Sequence, residues 1–419
     1  MKRQLMIWIS LLVCGISLQA QTIKPLTYSD YLEKVNAGNL DYAAERLNVS
    51  AAKADVVAAK VFNDPSVSVE YSNNQDHSLQ MGQSVEVGLM QTFSPGKRGA
   101  AIKLARSESE LSEALLADYL RNLRAEATVA YLEVQKQKQL CAVKKSSCAN
   151  LCDLAKSDSI WFASGKIMEV EAIQSSLEAG IMRNEVLQAE TDLKSACLSL
   201  ALMMGTVAGD TLYMPQKDLE PVTRLFVLDE LIAHAIDSRS DLTAALKNTE
   251  VARRALIVAR REKLPDIDLS LSISHNNRVY NEEAPAPNFN GITAGIAFPL
   301  KFSALNKGAV HAAKFRAQQA ETQYSQARLQ VQTEVIQAYQ QFRSLSDQLH
   351  HYTNGMLKQA KEVLDGKIYS YHRGEAPLLE YLNAQRTFDD VQAQYIETLY
   401  NYNVSVVELE KAAGIWDME

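Results

Sequence analysis

Two hydrophobic periods alternate along the chain. Residues 29–61 and 229–263 carry apolar side chains at helical spacing, which predicts one amphipathic helix in each stretch. Pro65 and Pro265 follow as stop signals. The period then drops to two. Val67, Val69 and Tyr71 alternate with Ser66, Ser68, Glu70 and Ser72, and Val85, Val87 and Leu89 with Ser84, Glu86 and Gly88. Further on, Ile267, Leu269, Leu271 and Ile273 alternate with Asp268, Ser270, Ser272 and Ser274, and Ile292, Ala294, Ile296 and Phe298 with Gly291, Thr293, Gly295 and Ala297. Period two predicts strands with one apolar and one polar face. Polar turns over 73–82 and 276–290 join them in pairs. The strands are roughly ten residues long, enough to cross a bilayer when tilted.

Helical spacing then returns for an unusual distance. No proline interrupts 99–163 or 305–371, and roughly 65 residues of helix extend about 100 Å. Leu116, Leu120, Leu123, Ala127, Ala130, Val134 and Cys141 keep three- and four-residue steps with some heptads, which suits packing against neighbouring long helices. Gly165 and Gly374 end these runs, and return helices are predicted over 169–204 and 378–413.

The same order of elements therefore occurs twice. Pro65 and Pro265 stand 200 residues apart, and Ala44, Ala52, Ala59 and Lys60 share that offset with Ala244, Ala252, Ala259 and Arg260. A repeat of this size implies duplication of one structural unit. The expected organisation is a signal segment at 1–20, a first repeat at 21–205, a linker at 206–227 with Pro215 and Pro221, a second repeat at 228–414 and a tail at 415–419. The fold class is mainly α with a small β part.

Composition narrows the function. The 419 residues are 47% hydrophobic and carry a net charge of −7 with no basic block, which argues against nucleic acid as a partner. Beyond the N-terminus no apolar run is long enough for a transmembrane helix. Lys2 and Arg3, the apolar stretch 5–18 and Ala20 have the order of a secretory signal. Cys14 lacks the small residue expected before a lipidated cysteine. Cys141, Cys148 and Cys152 fall on one helix face, and Cys197 is the fourth cysteine of the exported chain. They fit a soft-metal or disulfide pair, or small packed residues. Packing is preferred, because no His or carboxylate completes a ligand set. The histidines are scattered, and no HExxH, CxxC, Walker or GxSxG pattern occurs. No catalytic constellation, metal site or cofactor is expected, so the chain does not read as an enzyme. Tyr71, Phe93, Tyr280, Phe289, Phe298 and Phe302 lie on or near strand ends, where membrane barrels carry aromatic girdles.

Four strands cannot close a membrane barrel, because lipid does not tolerate open edges. Closure must come from several chains, and three would supply roughly twelve strands. The same three chains would wall a hollow cylinder with their helical hairpins.

Tyr371-His372-Arg373-Gly374-Glu375-Ala376-Pro377-Leu378-Leu379-Glu380-Tyr381-Leu382-Asn383-Ala384 resembles the second hairpin tip of the TolC-type outer-membrane efflux factors. Ser94-Pro95-Gly96-Lys97-Arg98-Gly99 and Phe298-Pro299-Leu300 look like that family's strand-to-helix joints. The first joint and Phe302-Ser303-Ala304-Leu305-Asn306-Lys307-Gly308 are most similar to its cation-efflux, CzcC- or CusC-like branch. The resemblance implies a homotrimer with a twelve-stranded β-barrel in the outer membrane of a Gram-negative cell and an α-barrel across the periplasm. It implies a periplasmic adaptor and an inner-membrane pump of the resistance-nodulation-division type as partners. The cargo would be small toxic solutes, heavy-metal cations among them. It further implies gate residues at Glu171, Glu380, Asn383 and Tyr371. The last of the family's acidic positions is Asn383 here, and Ala376 stands where the family has a cationic gate partner. Adaptor contacts fall on the tips, at Gly165, Lys166, Ile167, Gly374, Glu375 and Ala376. A ring of carboxylates would attract cations, yet both glutamates also suit a solvated helix face. A conduit for drugs or polypeptides, and a soluble periplasmic coiled-coil adaptor, are the alternative readings.

Overall fold

The computed structural model describes residues 22–74, 80–206, 211–300 and 307–416. The signal segment at 1–20, His77, the joint residues 302–306 and the last residues of the tail lie outside them. In chain order the elements are β1 (Thr22–Leu26), α1 (Tyr28–Gly38), α2 (Leu40–Ala58), β2 (Ser66–Asn73), β3 (Gln83–Phe93), α3 (Lys97–Ala163), α4 (Glu169–Met203) and β4 (Thr211–Pro215). Then follow α5 (Leu228–Ser238), α6 (Ser240–Arg261), β5 (Ile267–Asn276), β6 (Phe289–Ala297), α7 (Lys307–His351), α8 (Leu357–His372) and α9 (Leu378–Ala413). The protein is mainly helical with a small β part, and α3 alone runs 67 residues. Among the described residues no helix is long and apolar enough to cross a membrane.

The chain divides into two compact units, each drawing on both halves of the sequence. Unit 2, Glu45–Asp118 and Ser240–Leu329, holds an antiparallel sheet in the order β2-β3-β5-β6. The register sorts the side chains into rows. Val69, Val87, Ile273 and Ile292 are directly opposed across all four strands, as are Val67, Leu89, Leu271 and Ala294. The other face carries Ser68, Gly88, Ser272 and Thr293 in one row and Glu70, Glu86, Ser274 and Gly291 in the next. Successive strand residues point to opposite faces, so one face is an apolar band and the other small and polar. The apolar band is bare: Val69 is 70% exposed and Ile292 76%. Both edges, β2 and β6, end the hydrogen-bonded ladder. Where the chain leaves the sheet, Lys97 Nζ holds both oxygens of Asp266 at 2.8 Å, and the Arg98 guanidinium lies over the Phe62 ring.

Unit 1, Met1–Ala44, Tyr119–Arg239 and Gln330–Glu419, packs helices around three apolar clusters. One joins Tyr31 and Val35 of α1 to Ala127 and Val134 of α3 and Leu200 of α4. Another joins Leu231 and Ala235 of α5 to Val331 and Val335 of α7 and Val406 and Leu409 of α9.

Three features correct the sequence reading. The single helices expected over 29–61 and 229–263 each break in two. Asn39 is extended (φ −65°, ψ 119°); its Oδ1 accepts from Tyr42 N at 2.8 Å and so caps α2. Arg239 is extended in the same way (φ −67°, ψ 128°), and its guanidinium bonds the Ala412 carbonyl at 3.0 Å and Glu334 at 2.7 Å. At the first break the backbones touch: a Cβ on Gly38 would stand 2.3 Å from the Met204 carbonyl oxygen, which only glycine permits. Secondly, the helix expected over 305–371 contains a π turn, Tyr352–Met356, between α7 and α8. Thirdly, β1 and β4 form a short parallel pair, Thr22↔Thr211 to Leu26↔Pro215. Segments of five residues, holding Pro25 and Pro215, carry too few alternations for period two to register.

Candidate functional site

Both hairpins in unit 1 turn by the same backbone device. Gly165 and Gly374 adopt φ of +70° and +72°, the left-handed region where a Cβ is strained. Lys166 N donates to Trp161 O at 2.9 Å and Gly165 N to Phe162 O at 2.8 Å; Glu375 N donates to Ser370 O and Gly374 N to Tyr371 O, both at 2.9 Å. This double closure satisfies carbonyls that a helix end otherwise leaves open.

The return helices start differently, and one residue explains it. At the first tip Met168 N donates to Glu171 Oε2 at 3.1 Å, so this carboxylate turns back on its own helix start. At the second tip the equivalent residue is Pro377, which has no N–H to give. Glu380 is released from that bond and instead takes Lys367 Nζ at 2.6 Å.

Behind the tips lies a buried polar pair. Asp158 has no exposed surface, and its Oδ1 accepts from the Tyr371 hydroxyl at 2.8 Å. Its Oδ2 is buried without a hydrogen-bond partner. Burial pushes the Asp158 carboxyl above the usual carboxylate range, against the opposing pull of Tyr371 and Ser175. The Tyr371 hydroxyl is pushed up too, first by burial and then by the bond to Asp158. Tyr371 packs between Trp161, 5.8 Å away between ring centroids, and Tyr381, also at 5.8 Å, which holds the two hairpins together at their tips. Deeper in the same bundle Asp389 accepts from Ser147 Oγ and from Gln385 Nε2, and burial raises its carboxyl as well.

Of the residues named from sequence, Tyr371 is buried in this cluster, whereas Glu171 is half-buried and Glu380 and Asn383 are exposed. Trp161, Ile167, Glu171, Tyr371, Gly374 and Pro377 line one open cleft that both tips share. Glu380 and Asn383 do not line it. Lys166, Gly374 and Glu375 are exposed at the ends of the hairpins, and Ile167 and Ala376 are half-buried. Sequence reasoning missed Asp158, Ser147, Gln385 and Asp389. The signal existed: Asp158 sits in the spacing Leu151, Leu154, Asp158, Trp161, a carboxylate on an otherwise apolar stripe. Among the described residues no group of three or more His, Cys, Asp or Glu is placed to hold a metal ion.

Comparison with known proteins agrees with this architecture. The outer membrane efflux protein family matches residues 231–415. The chain is 22% identical over 395 residues to the cobalt-zinc-cadmium resistance protein CzcC of Cupriavidus metallidurans, covering 93% of this chain and 90% of that protein. The solved structure of CusC superposes with a TM-score of 0.76 at 18% identity, over 93% of this chain and 92% of CusC. The Campylobacter jejuni CmeC outer membrane channel superposes with a TM-score of 0.75 at 16% identity, over 96% of this chain and 90% of CmeC. Residues 231–415 thus match the outer membrane efflux protein family, and the chain has the fold of the TolC-like outer-membrane channels, CusC and CmeC among them.

Proposed function

We propose that this protein is the outer-membrane conduit of a tripartite efflux system. In this reading three copies close their four-stranded sheets into one barrel, and their helical hairpins wall a periplasmic tube. The observation that carries it is the sheet in unit 2. Among the described residues its two edges are unpaired and one face is a bare apolar band, an arrangement that water does not favour and that lipid accepts only in a closed barrel. The polar face then lines the lumen. Glu70 directly opposite Glu86 suits a water-filled channel, because like charges facing each other are costly where they are not solvated.

The exposed tip residues Gly165, Lys166, Gly374 and Glu375, with Ile167 and Ala376 beside them, offer the surface for a periplasmic adaptor, which links the tube to an inner-membrane pump. Glu171, Glu380, Asn383 and Tyr371 form the entrance. Solutes pass through without chemical change. The resistance named for CzcC favours metal cations as cargo.

Deletion of the gene followed by growth on cobalt, zinc, cadmium, copper, dyes and detergents tests the cargo, with loss of metal tolerance expected. Unchanged metal tolerance refutes the cation reading. Membrane fractionation and unheated electrophoresis test the conduit, with an outer-membrane trimer expected. A monomer in the soluble fraction refutes it.

A further inference from the structure

Cys148 and Cys152 sit one turn apart on α3, with their sulfurs 3.9 Å from each other. Both are half-buried at the edge of an apolar cluster, unlike Cys141, which is buried. Arg183, reaching across from α4, donates Nη2–H to Cys152 Sγ at 3.5 Å. Tight packing of small residues, the reading preferred from sequence, leaves this arrangement unexplained. Packing does not require an exposed guanidinium aimed at a sulfur.

A disulfide does not explain it either. Residues four apart on a helix hold their Cβ atoms about 5–6 Å apart, whereas a disulfide needs about 3.5–4.5 Å. Closing the bond would unwind α3. A metal bridge has no such conflict. A soft metal about 2.3 Å from each sulfur would subtend about 116° at the observed separation, and small side-chain rotations widen that angle towards linear.

Charge and ligand count together favour a monovalent metal. Two thiolates and one monovalent cation carry a net charge of −1, which the Arg183 guanidinium balances. A divalent ion would form a neutral complex, to which Arg183 adds no net attraction. With no third His, Cys, Asp or Glu ligand placed among the described residues, the pair suits a metal content with two soft ligands. Thiolates suit Cu(I) and zinc alike, but zinc completes four positions, so a site of two sulfurs favours the monovalent ion.

We propose that Cys148 and Cys152 form a two-coordinate thiolate site for a monovalent soft cation, Cu(I) or Ag(I), with Arg183 as its counter-charge. On binding, each thiol passes its proton to solvent and a metal–sulfur bond forms; no electron is transferred. The site stands independently of the conduit reading, since it needs only α3 and α4 of one chain.

The test is anaerobic titration of the reduced, detergent-solubilised protein with Cu(I) against bicinchoninate, with Zn(II) in parallel. One Cu(I) per chain is expected, with an ultraviolet thiolate-to-metal band. Cys148→Ser and Cys152→Ser lose it, and Cys141→Ser keeps it. Arg183→Met keeps the stoichiometry and weakens binding about tenfold. All variants retain the wild-type helical circular dichroism, which separates lost binding from lost folding. Cu(I) retained in the double variant Cys148→Ser/Cys152→Ser, equal uptake of Zn(II), or a Cys148–Cys152 disulfide in protein purified without reductant overturns the proposal.

Discussion

Replacing Tyr371 by Phe removes the hydroxyl that donates to Asp158 Oδ1 while keeping the ring between Trp161 and Tyr381. The cost depends on the charge of Asp158. A hydrogen bond to an ionised group contributes about 1.5–3 kcal/mol, and one between neutral groups about 0.5–1.5 kcal/mol. Burial raises the folded-state carboxyl of Asp158 above its unfolded value. The native state therefore binds more protons than the unfolded one between those two values, and this group's stabilisation is complete below the ordinary Asp range and lost as pH rises through the folded value. Tyr371→Phe should thus cost about 1.5–3 kcal/mol on the alkaline side of the Asp158 titration, where the carboxylate is charged, and about 1 kcal/mol less on its acid side. Hydrogen exchange of the tip peptides reads this directly, because local opening exposes their amides. At about 1.4 kcal/mol per decade, exchange at Gly374 and Glu375 should speed up roughly 10- to 150-fold over wild type on the alkaline side of that titration. The ratio of variant to wild type cancels the intrinsic pH dependence of exchange. A ratio below about three on the alkaline side, or the same ratio on both sides of the titration, refutes a pH-dependent clasp between Asp158 and Tyr371.

Arg224→Ala strips Glu410, which has no exposed surface, of a partner held at 2.6 Å. The loss should be about 3 kcal/mol, the low end for a broken buried pair, since Arg224 retains 28% exposure; urea denaturation measures it, and a change under about 1 kcal/mol counts against a structural role. Val69→Arg places a charge in the apolar band and should cost about 2–4 kcal/mol in barrel stability in liposomes, while Ser68→Arg on the opposite face is tolerated. Equal effects of the two would refute the assignment of lipid and lumen faces, and the opposite ranking would reverse it. Lys367→Ala removes the ion partner of Glu380, so single-channel recordings should show greater cation selectivity and stronger block by divalent cations. Recordings identical to wild type argue against an entrance role for Glu380.

Much of the fold was legible because it rests on local periodicity. The four main strands and both long hairpins follow from period two, period 3.6 and two glycines, each carried by neighbours in sequence. The breaks at Asn39 and Arg239 were not legible, because each is fixed by a residue far along the chain. Gly38 meets Met204, and Arg239 bonds the carbonyl of Ala412. The pairing of β1 with β4 likewise joins segments on either side of a whole hairpin. At the tips, both glycines and their neighbouring glutamates could be picked out by position, but the opposite behaviour of Glu171 and Glu380 could not. Pro377 against Met168 was visible as a difference. Its consequence, a carboxylate turned onto Lys367 rather than onto its own helix start, depends on which groups the hairpin brings within reach.

By itself the sequence determined the four main strands, their apolar and polar faces and the long helical hairpins, since these depend on spacing along one chain. Only the tertiary structure decided which polar groups meet inside the bundle. Asp158 with Tyr371, Asp389 with Ser147, and Cys152 with Arg183 each join different helices, and no period along the chain encodes a partner on another helix.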